Sequence, residues 1–305
     1  MPDLIDCAII GAGPAGLTAA IYLARFALTT RIYDAGQSRC ATIPLTRNHS
    51  GYPDGIAGAE LLGRMRTQAA EFGAFVTSSA VKRLDRRGEH FDLWTEKGPI
   101  ATRTILLATG VVNNRPTIDD ADHARALERG LLRYCPICDG YEVTDKRVGV
   151  IGTDTHGYNE AVFIRMYTKD VTLIAPGAAH ALVDEQRASL ASLGIDAVEG
   201  PCGTLNIDGN EIVAPTAHGP IRFDSIYPAL GSVIRSELAV ALGAEASAEG
   251  CLVVDDHQRT SIAGLYAAGD VAKGLDQISH AMGEAGVAAT TIRNDLAKIM
   301  SLARR

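Results

Sequence analysis

The sequence predicts an α/β protein with two doubly wound, Rossmann-like units, and three stretches support this prediction. An apolar run at 4–10 leads into the Gly-rich stretch GAGPAG, a helical pattern and a second apolar stretch that ends at Asp34. The same succession of strand, turn, helix and strand returns over 147–175. A late strand, GLYAAGD at 264–270, precedes a helix rich in Ala and Gly at 277–297. Such alternation is typical of parallel sheets covered by helices.

The length of the chain predicts two domains, and we expect the first of them to be discontinuous. A chain of 305 residues exceeds the usual size of one domain. Residues 1–116 and 235–305 would form the first unit, with residues 117–234 inserted as the second unit. The stretch VNNRP at 112–116 and the region around Gly231 are the expected crossovers.

The composition is that of an ordinary globular protein, with 47% hydrophobic and 21% charged residues and a mean hydropathy of +0.06. The net charge is −7 and Lys and Arg are scattered, so we expect neither nucleic-acid nor membrane binding. The N-terminal segment carries acids where a secretory signal needs positive charge, and no apolar run reaches the roughly 18 residues of a membrane span. We therefore expect a cytoplasmic protein.

The first Gly-rich turn has the Gly-x-Gly-x-x-Gly spacing of a dinucleotide-binding fingerprint. In this pattern Gly11 permits a tight turn, Gly13 lets the backbone approach a pyrophosphate, and Gly16 lets the helix pack on the strand. The helix N-terminus offers free N–H groups to the phosphates. Asp34, 18 residues beyond Gly16, stands where an acid usually binds a ribose hydroxyl. We expect a dinucleotide site here, and a merely Gly-rich turn is the alternative.

A second candidate site lies at 133–142, where RYCPICDGYE places Cys135 and Cys138 close together. Three interpretations are open: a zinc half-site, an inert buried pair and a redox-active dithiol. A structural zinc site needs four ligands, but the chain has no second Cys-x-x-Cys and no His-x₃₋₅-His spacing. Pro136 suits the first turn of a helix, and a Cys at a helix N-terminus has a lowered pKa. We therefore favour the redox-active dithiol and predict no metal site.

Several motifs together resemble the low-molecular-weight thioredoxin reductase family. GAGPAG, LLATG, CPICDG and GLYAAGD occur in the order seen in that family. HSGYPDGIAGAEL at 49–61 and QISHAMGEAGVAA at 277–289 resemble further stretches of it. The resemblance covers nearly the whole chain. It implies an FAD-dependent thiol–disulfide oxidoreductase, a homodimer, and a thioredoxin-like protein or a small dithiol or disulfide as the substrate.

The resemblance also implies where FAD is bound. Pyrophosphate contacts would come from the first turn, the adenosine ribose contact from Asp34, and a ribitol or phosphate contact from Asp270, while Gln277 and Ile278 would lie beside the isoalloxazine ring. One departure is GQSRC at 36–40, where the family usually shows a Gly-Gly-Gln run. The full expected set is Gly11, Gly13, Pro14, Ala15, Gly16, Asp34, Gln37, Arg39, Asn48, Val81, Gly110, Gly269, Asp270, Gln277 and Ile278.

For the cysteine pair, the resemblance implies a division of work. Cys138 would exchange electrons with the flavin, and Cys135 would attack the outside disulfide. Asp139 matches the acidic residue of the family and would manage the thiol proton, the alternative being a helix-cap carboxylate. His49 and His280 lie near stretches expected at the flavin, but we expect surface or packed positions for both. The four remaining cysteines are expected to be small core residues: Cys7, Cys40, Cys202 and Cys251.

The second Gly-rich turn, GTDTHGYNEA at 152–161, departs from the fingerprint, since Asp154 occupies the middle glycine position. Two unit charges about 4 Å apart at an effective dielectric near 20 repel by roughly 4 kcal/mol, or about a thousandfold in affinity. After the strand VTLIA, neither Arg nor Lys follows until Arg187, so the basic cluster for a 2′-phosphate is missing. Use of NADPH is therefore doubtful.

If NADPH does not supply the electrons, three alternatives remain open. Ferredoxin could supply the electrons in a reductase of the same kind. A dithiol oxidase would run the chemistry backwards, with a substrate dithiol as donor and oxygen as acceptor. A flavin redox sensor without turnover is the non-enzymatic alternative. The direction is tunable, because about 30 mV corresponds to about 1.4 kcal/mol for two electrons.

Overall fold

The computed structural model describes residues 4–303, and the elements below belong to that range. The strands are β1 (Ile5–Ile10), β2 (Thr30–Asp34), β3 (Val76–Ser78), β4 (Arg83–Arg87), β5 (His90–Thr95), β6 (Gly98–Leu107), β7 (Val111–Asn113), β8 (Val148–Gly152), β9 (Val171–Ile174), β10 (Asp196–Val198), β11 (Asn206–Asp208), β12 (Glu211–Thr216), β13 (Gly219–Phe223), β14 (Ser225–Ala229), β15 (Ser232–Ile234) and β16 (Leu265–Ala267). The α-helices are α1 (Pro14–Arg25), α2 (Gly58–Glu71), α3 (Asp120–Glu128), α4 (Pro136–Asp139), α5 (Asp154–Ile164), α6 (Asp184–Ser192), α7 (Glu237–Val240) and α8 (Ile278–Ile299). Short 3₁₀ helices cover Arg39–Thr42 and Gly140–Val143.

The largest sheet joins segments from both ends of the chain. Its strands follow the order β3-β2-β1-β6-β5-β4, and β16 pairs with β6 in parallel. β1, β2 and β3 run parallel to one another, whereas β4, β5 and β6 form an antiparallel meander. The predicted α/β class is confirmed.

Buried aliphatic side chains cover both faces of this sheet. On one face Ile9 and Ile32 pack in a core with Leu17 of α1, Leu62 of α2 and Ile292 of α8. The opposite face has its own core, which includes Leu84, Leu93, Leu107, Leu252 and Leu265. Full burial of each such side chain contributes roughly 1.5–3 kcal/mol. The two cores fix the ends of β1, β2 and β16, where the site is found.

The central part of the chain forms a smaller parallel sheet in the order β10-β9-β8-β14. Buried residues of β8, β9 and β14 pack with Ile164 of α5 and Leu190 of α6. The antiparallel ladder β11-β12-β13 lies beside it, and β7 pairs with β15 in a separate two-stranded ladder. This last ladder joins the two crossover segments that the sequence indicated.

Within residues 4–303, no helix combines the length and the apolar character that crossing a membrane would require.

Candidate active site

The first Gly-rich turn links β1 to α1 and depends on its glycines. Gly11 has φ +107°, and a Cβ atom there would overlap the carbonyl oxygen of Ala108. The Asp34 carboxylate shapes the turn, because it accepts the N–H groups of Ala12 and Gly36, each at 3.0 Å. Asp34 is therefore placed at the end of β2 as predicted, and it also supports the turn that precedes it.

A cavity of about 570 Å³ opens at this turn, and the expected cofactor residues surround it. Gly16 is the exception: it does not line the cavity but packs α1 against the turn, where a Cβ would overlap the carbonyl oxygen of Gly11. The expected residues that line the cavity are Gly11, Gly13, Pro14, Ala15, Asp34, Gln37, Arg39, Asn48, Val81, Gly110, Gly269, Asp270, Gln277 and Ile278.

The residues around this cavity fit FAD. α1 begins at Pro14, its first turn holds no acidic residue, and no side chain of the described residues caps its N-terminus. Its N–H groups and dipole are thus available to a pyrophosphate. The volume lies within the roughly 300–1,000 Å³ common for ligand pockets. At one side of the cavity, Arg39 forms ion pairs with Asp270 at 3.2 Å and Asp276 at 2.9 Å.

The Cys135–Cys138 pair lines the same cavity and forms a disulfide. Cys135 is the N-cap of α4, and Pro136 is its first helical residue as predicted. The N–H of Cys138 donates to Cys135 Sγ at 3.2 Å. Gln277, at the N-cap of α8, places its Nε2 3.3 Å from Cys138 Sγ and 3.4 Å from Cys135 Sγ. The pair therefore faces the segment that was expected beside the isoalloxazine ring.

Asp139 lies behind the pair and is held by two side chains that the sequence did not reveal. Arg133 Nη1 contacts Asp139 Oδ2 at 2.8 Å, and the Tyr227 hydroxyl donates to Oδ1 at 2.8 Å. Burial raises the pKa of Asp139, although the Arg133 charge opposes this shift. Arg133 stands next to the motif, whereas Tyr227 lies in the buried strand β14, far along the chain, and its hydroxyl was the signal that could have indicated a polar partner.

The two histidines lie outside the cavity lining. His49 Nδ1 is 3.0 Å from Ser279 Oγ, and its ring stacks on Tyr52. His280 Nε2 is 3.0 Å from Glu284 Oε1. Both positions agree with the expectation of packed or surface histidines.

The four free cysteines differ in how far they are buried. Cys7 and Cys40 are buried, and Cys202 is partly buried and packs against the core of the second unit. Cys251 is partly exposed and belongs to none of the described core clusters, so the expectation of a core position was wrong for this residue. Burial raises the pKa of Cys40 and of Cys202 to about 11, which keeps both thiols protonated and unreactive at neutral pH. In the part of the chain that the structure describes, no cluster of three or more His, Cys, Asp or Glu side chains is arranged to hold a metal ion.

The second Gly-rich turn differs from the first in the residue that begins its helix. Asp154 is the first residue of α5 and has φ +53°, a conformation that favours glycine. Its Oδ1 accepts the N–H of His156 at 2.8 Å. Arg187 of α6, the first Arg or Lys after β9, contacts Glu199 at 3.2 Å and the His180 carbonyl oxygen at 3.2 Å. The Asp154 carboxylate and the Arg187 guanidinium are therefore both engaged in contacts within the protein.

Comparisons with known proteins agree with this arrangement. The family model described as pyridine nucleotide-disulphide oxidoreductase matches residues 5–285. The thioredoxin reductase of Aquifex aeolicus is 30% identical over 286 residues, covering 88% of this chain and 86% of its own. The thioredoxin reductase structure from Streptococcus pyogenes superposes with a TM-score of 0.88 at 25% identity, covering 98% of this chain and all of its own. The crystal structure of HlmI gives a TM-score of 0.88 at 28% identity, covering 98% and 94%.

The matched family, the glycine-lined cavity and the disulfide beside it lead to one conclusion. The expected fold, enzyme class and FAD cofactor are confirmed. The chain belongs to the pyridine nucleotide-disulphide oxidoreductase family, and within it to the thioredoxin reductase-like FAD-dependent disulfide oxidoreductases.

Proposed function

We propose that electrons pass between FAD and the Cys135–Cys138 pair, which exchanges them with a thioredoxin-like protein or a small dithiol or disulfide. The observation that carries this proposal is that the pair and the first Gly-rich turn line one cavity. Bound FAD supplies a two-electron carrier there. The names of the thioredoxin reductases that the chain resembles support a thioredoxin-like partner.

The geometry of α4 supports Cys135 as the thiol that attacks the substrate. Cys135 Sγ accepts the Cys138 N–H, and Cys135 lies at the N-terminus of the short helix α4. Both features favour the thiolate of Cys135 over its thiol. Attack on an outside disulfide then gives a mixed disulfide, which Cys138 resolves. Cys138 is proposed as the sulfur that exchanges electrons with FAD.

Asp139 is proposed as the acid–base group for this exchange. Reducing a disulfide to two thiols takes two electrons and two protons, and re-forming it releases both. Asp139 directly follows Cys138, and burial raises its pKa above the ordinary value, which suits a carboxyl group that takes up and returns a proton. Its bonds to Arg133 and Tyr227 hold the carboxylate in place, which a helix cap would not require.

We propose that NADPH does not enter through the second Gly-rich turn. α1 and α5 provide a comparison within one chain: the first turn of α1 carries no acid, while α5 begins with Asp154, whose carboxylate takes the His156 N–H. A pyrophosphate at α5 would have to displace that carboxylate and would be repelled by it. Ferredoxin or a substrate dithiol would then be the electron donor.

The same observation favours a dithiol oxidase as the second candidate. If a nucleotide does not supply the electrons, the cysteine pair, which lines the cavity, is the group through which they would reach FAD. A substrate dithiol would reduce the pair, the pair would pass the electrons to FAD, and oxygen would accept them. A redox sensor would be reduced once by the dithiol and would not turn over.

For the whole chain we propose the domain division given above and a homodimer. The β7–β15 ladder supports crossovers near 112–116 and 231. A dimer surface is supported by exposed apolar residues on α1 and α8 and at the C-terminal caps of α1 and α2: Tyr22, Val287, Phe26 and Phe72. Tyr22 packs edge-on against Phe26 and lies beside Gly286, so α1 and α8 share this surface. Tyr22→Lys should shift the mass measured by light scattering from dimer to monomer, whereas Met166→Lys on the second unit should not.

Oxygen uptake tests the proposed function. The yellow protein is mixed in air with dithiothreitol or with reduced thioredoxin, and separately with NADPH plus oxidised thioredoxin. Continuous uptake with a dithiol supports the oxidase direction, and NADPH-dependent reduction of thioredoxin supports the usual reductase. A single equivalent of thiol oxidised without turnover indicates the sensor. No exchange between thiols and flavin in any arm would overturn the proposal.

A further inference from the structure

A buried carboxyl group, Glu160, lies on α5 and is not used by the chemistry above. Its side chain is only 12% exposed. Its Oε1 has no hydrogen-bond partner among residues 4–303, although the atom is fully buried. An unpaired charge in such a place is costly, so the group favours a proton. α5 packs directly on α4, which carries Asp139.

The groups that surround Glu160 come from each element packed on α5. Asp139 of α4 is near enough for its charge to act on Glu160, and Asp139 is itself bonded to Tyr227 of β14 and to Arg133. Glu142, on the 3₁₀ helix that follows α4, adds a further acid close to Asp139. Strands β8 (VGVIG) and β9 (VTLI) bring no charged residue, and α6 meets α5 through a Tyr158–Ser189 bond.

His156 connects this buried group with solvent. It lies one turn before Glu160 on α5, with its Nε2 4.0 Å from Glu160 Oε2, and its own side chain is 59% exposed. The order Asp139, Glu160, His156 therefore leads from the cysteine pair to the surface. Burial, followed by the charge of Asp139, raises the pKa of Glu160 to about 7, so both protonation states are populated near neutrality.

We propose that Glu160 is a positioning residue for the proton of the Cys135–Cys138 couple, sharing that proton with Asp139 and exchanging it with solvent through His156. This inference rests on the proposed function of the pair. When the two thiols re-form the S–S bond, they give up two electrons and two protons, and bound FAD would take both electrons and one of the protons. The second proton goes to Asp139, then to Glu160, and leaves through His156. Reduction of the pair by a substrate dithiol supplies both protons again.

The test measures the protonation of Glu160 in both redox states of the flavin-containing protein. The infrared carbonyl band of protonated carboxyl groups is titrated in wild type and in Glu160→Gln, with the pair oxidised and then reduced anaerobically by dithiothreitol. The matched control is Glu185→Gln, an exposed acid on α6. We expect a band with a midpoint near pH 7 that Glu160→Gln removes and Glu185→Gln retains.

The result specific to this proposal is a shift of that midpoint upon reduction. A thiolate formed near Asp139 adds negative charge, so the midpoint should rise by about half a pH unit or more, roughly a threefold change in proton affinity. Asp139→Asn should abolish most of the shift. An identical midpoint in both redox states would overturn the proposal, because a merely structural buried acid would titrate without responding to the pair.

Two further measurements separate a failure of the variant to fold from a failure of the proposal. If Glu160→Gln does not fold, the redox-dependent shift is followed in wild type and in His156→Gln, which is exposed and should slow the proton exchange at least threefold without removing the band. If dithiothreitol reduces the flavin fully but the midpoint does not move, the role of Glu160 is wrong while the proposed function survives. If dithiothreitol does not reduce the flavin, the proposed function itself fails.

Discussion

At the scale of single residues, the two sulfur atoms differ in their surroundings. Cys135 Sγ accepts the Cys138 N–H. Gln277 Nε2, from a distant part of the chain expected beside the flavin, lies 3.3 Å from Cys138 Sγ and 3.4 Å from Cys135 Sγ. The backbone N–H at Cys135 therefore distinguishes the two sulfur atoms, and separate roles in attack and in electron exchange require such a difference.

Replacing Cys138 by Ser is expected to stop electron flow between thiols and flavin. Cys135 would still attack a substrate disulfide, but the mixed disulfide could no longer be resolved. Dithiothreitol should then reduce the flavin at least about a hundredfold more slowly, as followed by its visible absorbance under nitrogen. Cys202→Ser, outside the cavity, is the control. Reduction of the Cys138→Ser flavin at the wild-type rate would disprove the assignment.

The Asp295 carboxylate stabilises the fold, and the size of this stabilisation depends on pH. It joins α8 to Arg259 at 2.7 Å, to the Tyr266 hydroxyl at 2.9 Å and to Lys298 at 2.7 Å. The hydrogen bond from Arg259 holds the pKa of Asp295 well below its ordinary value of 3.8. A lowered pKa in the folded state means that the stabilisation is present above that ordinary value and is lost as the pH falls below it.

Asp295→Asn should therefore destabilise the protein by about 1.5–3 kcal/mol at pH 7 and by progressively less below about pH 4. The thermal unfolding midpoint, measured across this pH range, checks the expectation. Glu96→Gln removes an acid from the exposed Lys82–Glu96 pair and should change the midpoint little at any pH. A deficit for Asp295→Asn that stays constant down to pH 3 would argue against an ionic role.

At the scale of elements, the two helices that follow Gly-rich turns differ at their N-termini. α1 presents an open N-terminus to the cavity, and α5 begins with a carboxylate that binds its own backbone. The two turns share the same local fold and differ in the residue that begins the helix. α5 also packs against α4, which carries the redox pair.

Asp154→Gly should restore part of the lost affinity for NADPH. Glycine accepts the positive φ at this position, and removing the carboxylate frees the His156 N–H and removes a repulsion worth up to roughly a thousandfold in affinity. Calorimetric titration with NADPH measures the change. Asp154→Asn, which removes the charge but keeps the side chain, should recover less. Equal affinities in wild type and Asp154→Gly would show that the turn is not what limits binding.

At the scale of the whole molecule, local patterns predicted the fold and part of the site, but not how the parts meet. The Gly-x-Gly-x-x-Gly turn, the Cys-x-x-Cys pair and α8 are short-range signals, and all three are found where the sequence indicated. The approach of Gln277 to Cys138 spans 139 positions and depends on how the two sheets are placed. Tyr227 and Glu160 could not be identified from the sequence, because neither belongs to a recognisable motif. They come near Asp139 only in the folded chain, where β14 and α5 carry them.

The most direct measurement is an anaerobic titration of the flavin band with NADPH and, in a parallel sample, with dithiothreitol. We predict full bleaching by the dithiol, whose electrons enter through Cys135 and Cys138, and little or none by NADPH at equal concentration. Rapid and complete bleaching by NADPH would contradict the proposed entry of electrons, since it would show that the turn at Asp154 still admits the nucleotide and that electrons flow in the usual reductase direction.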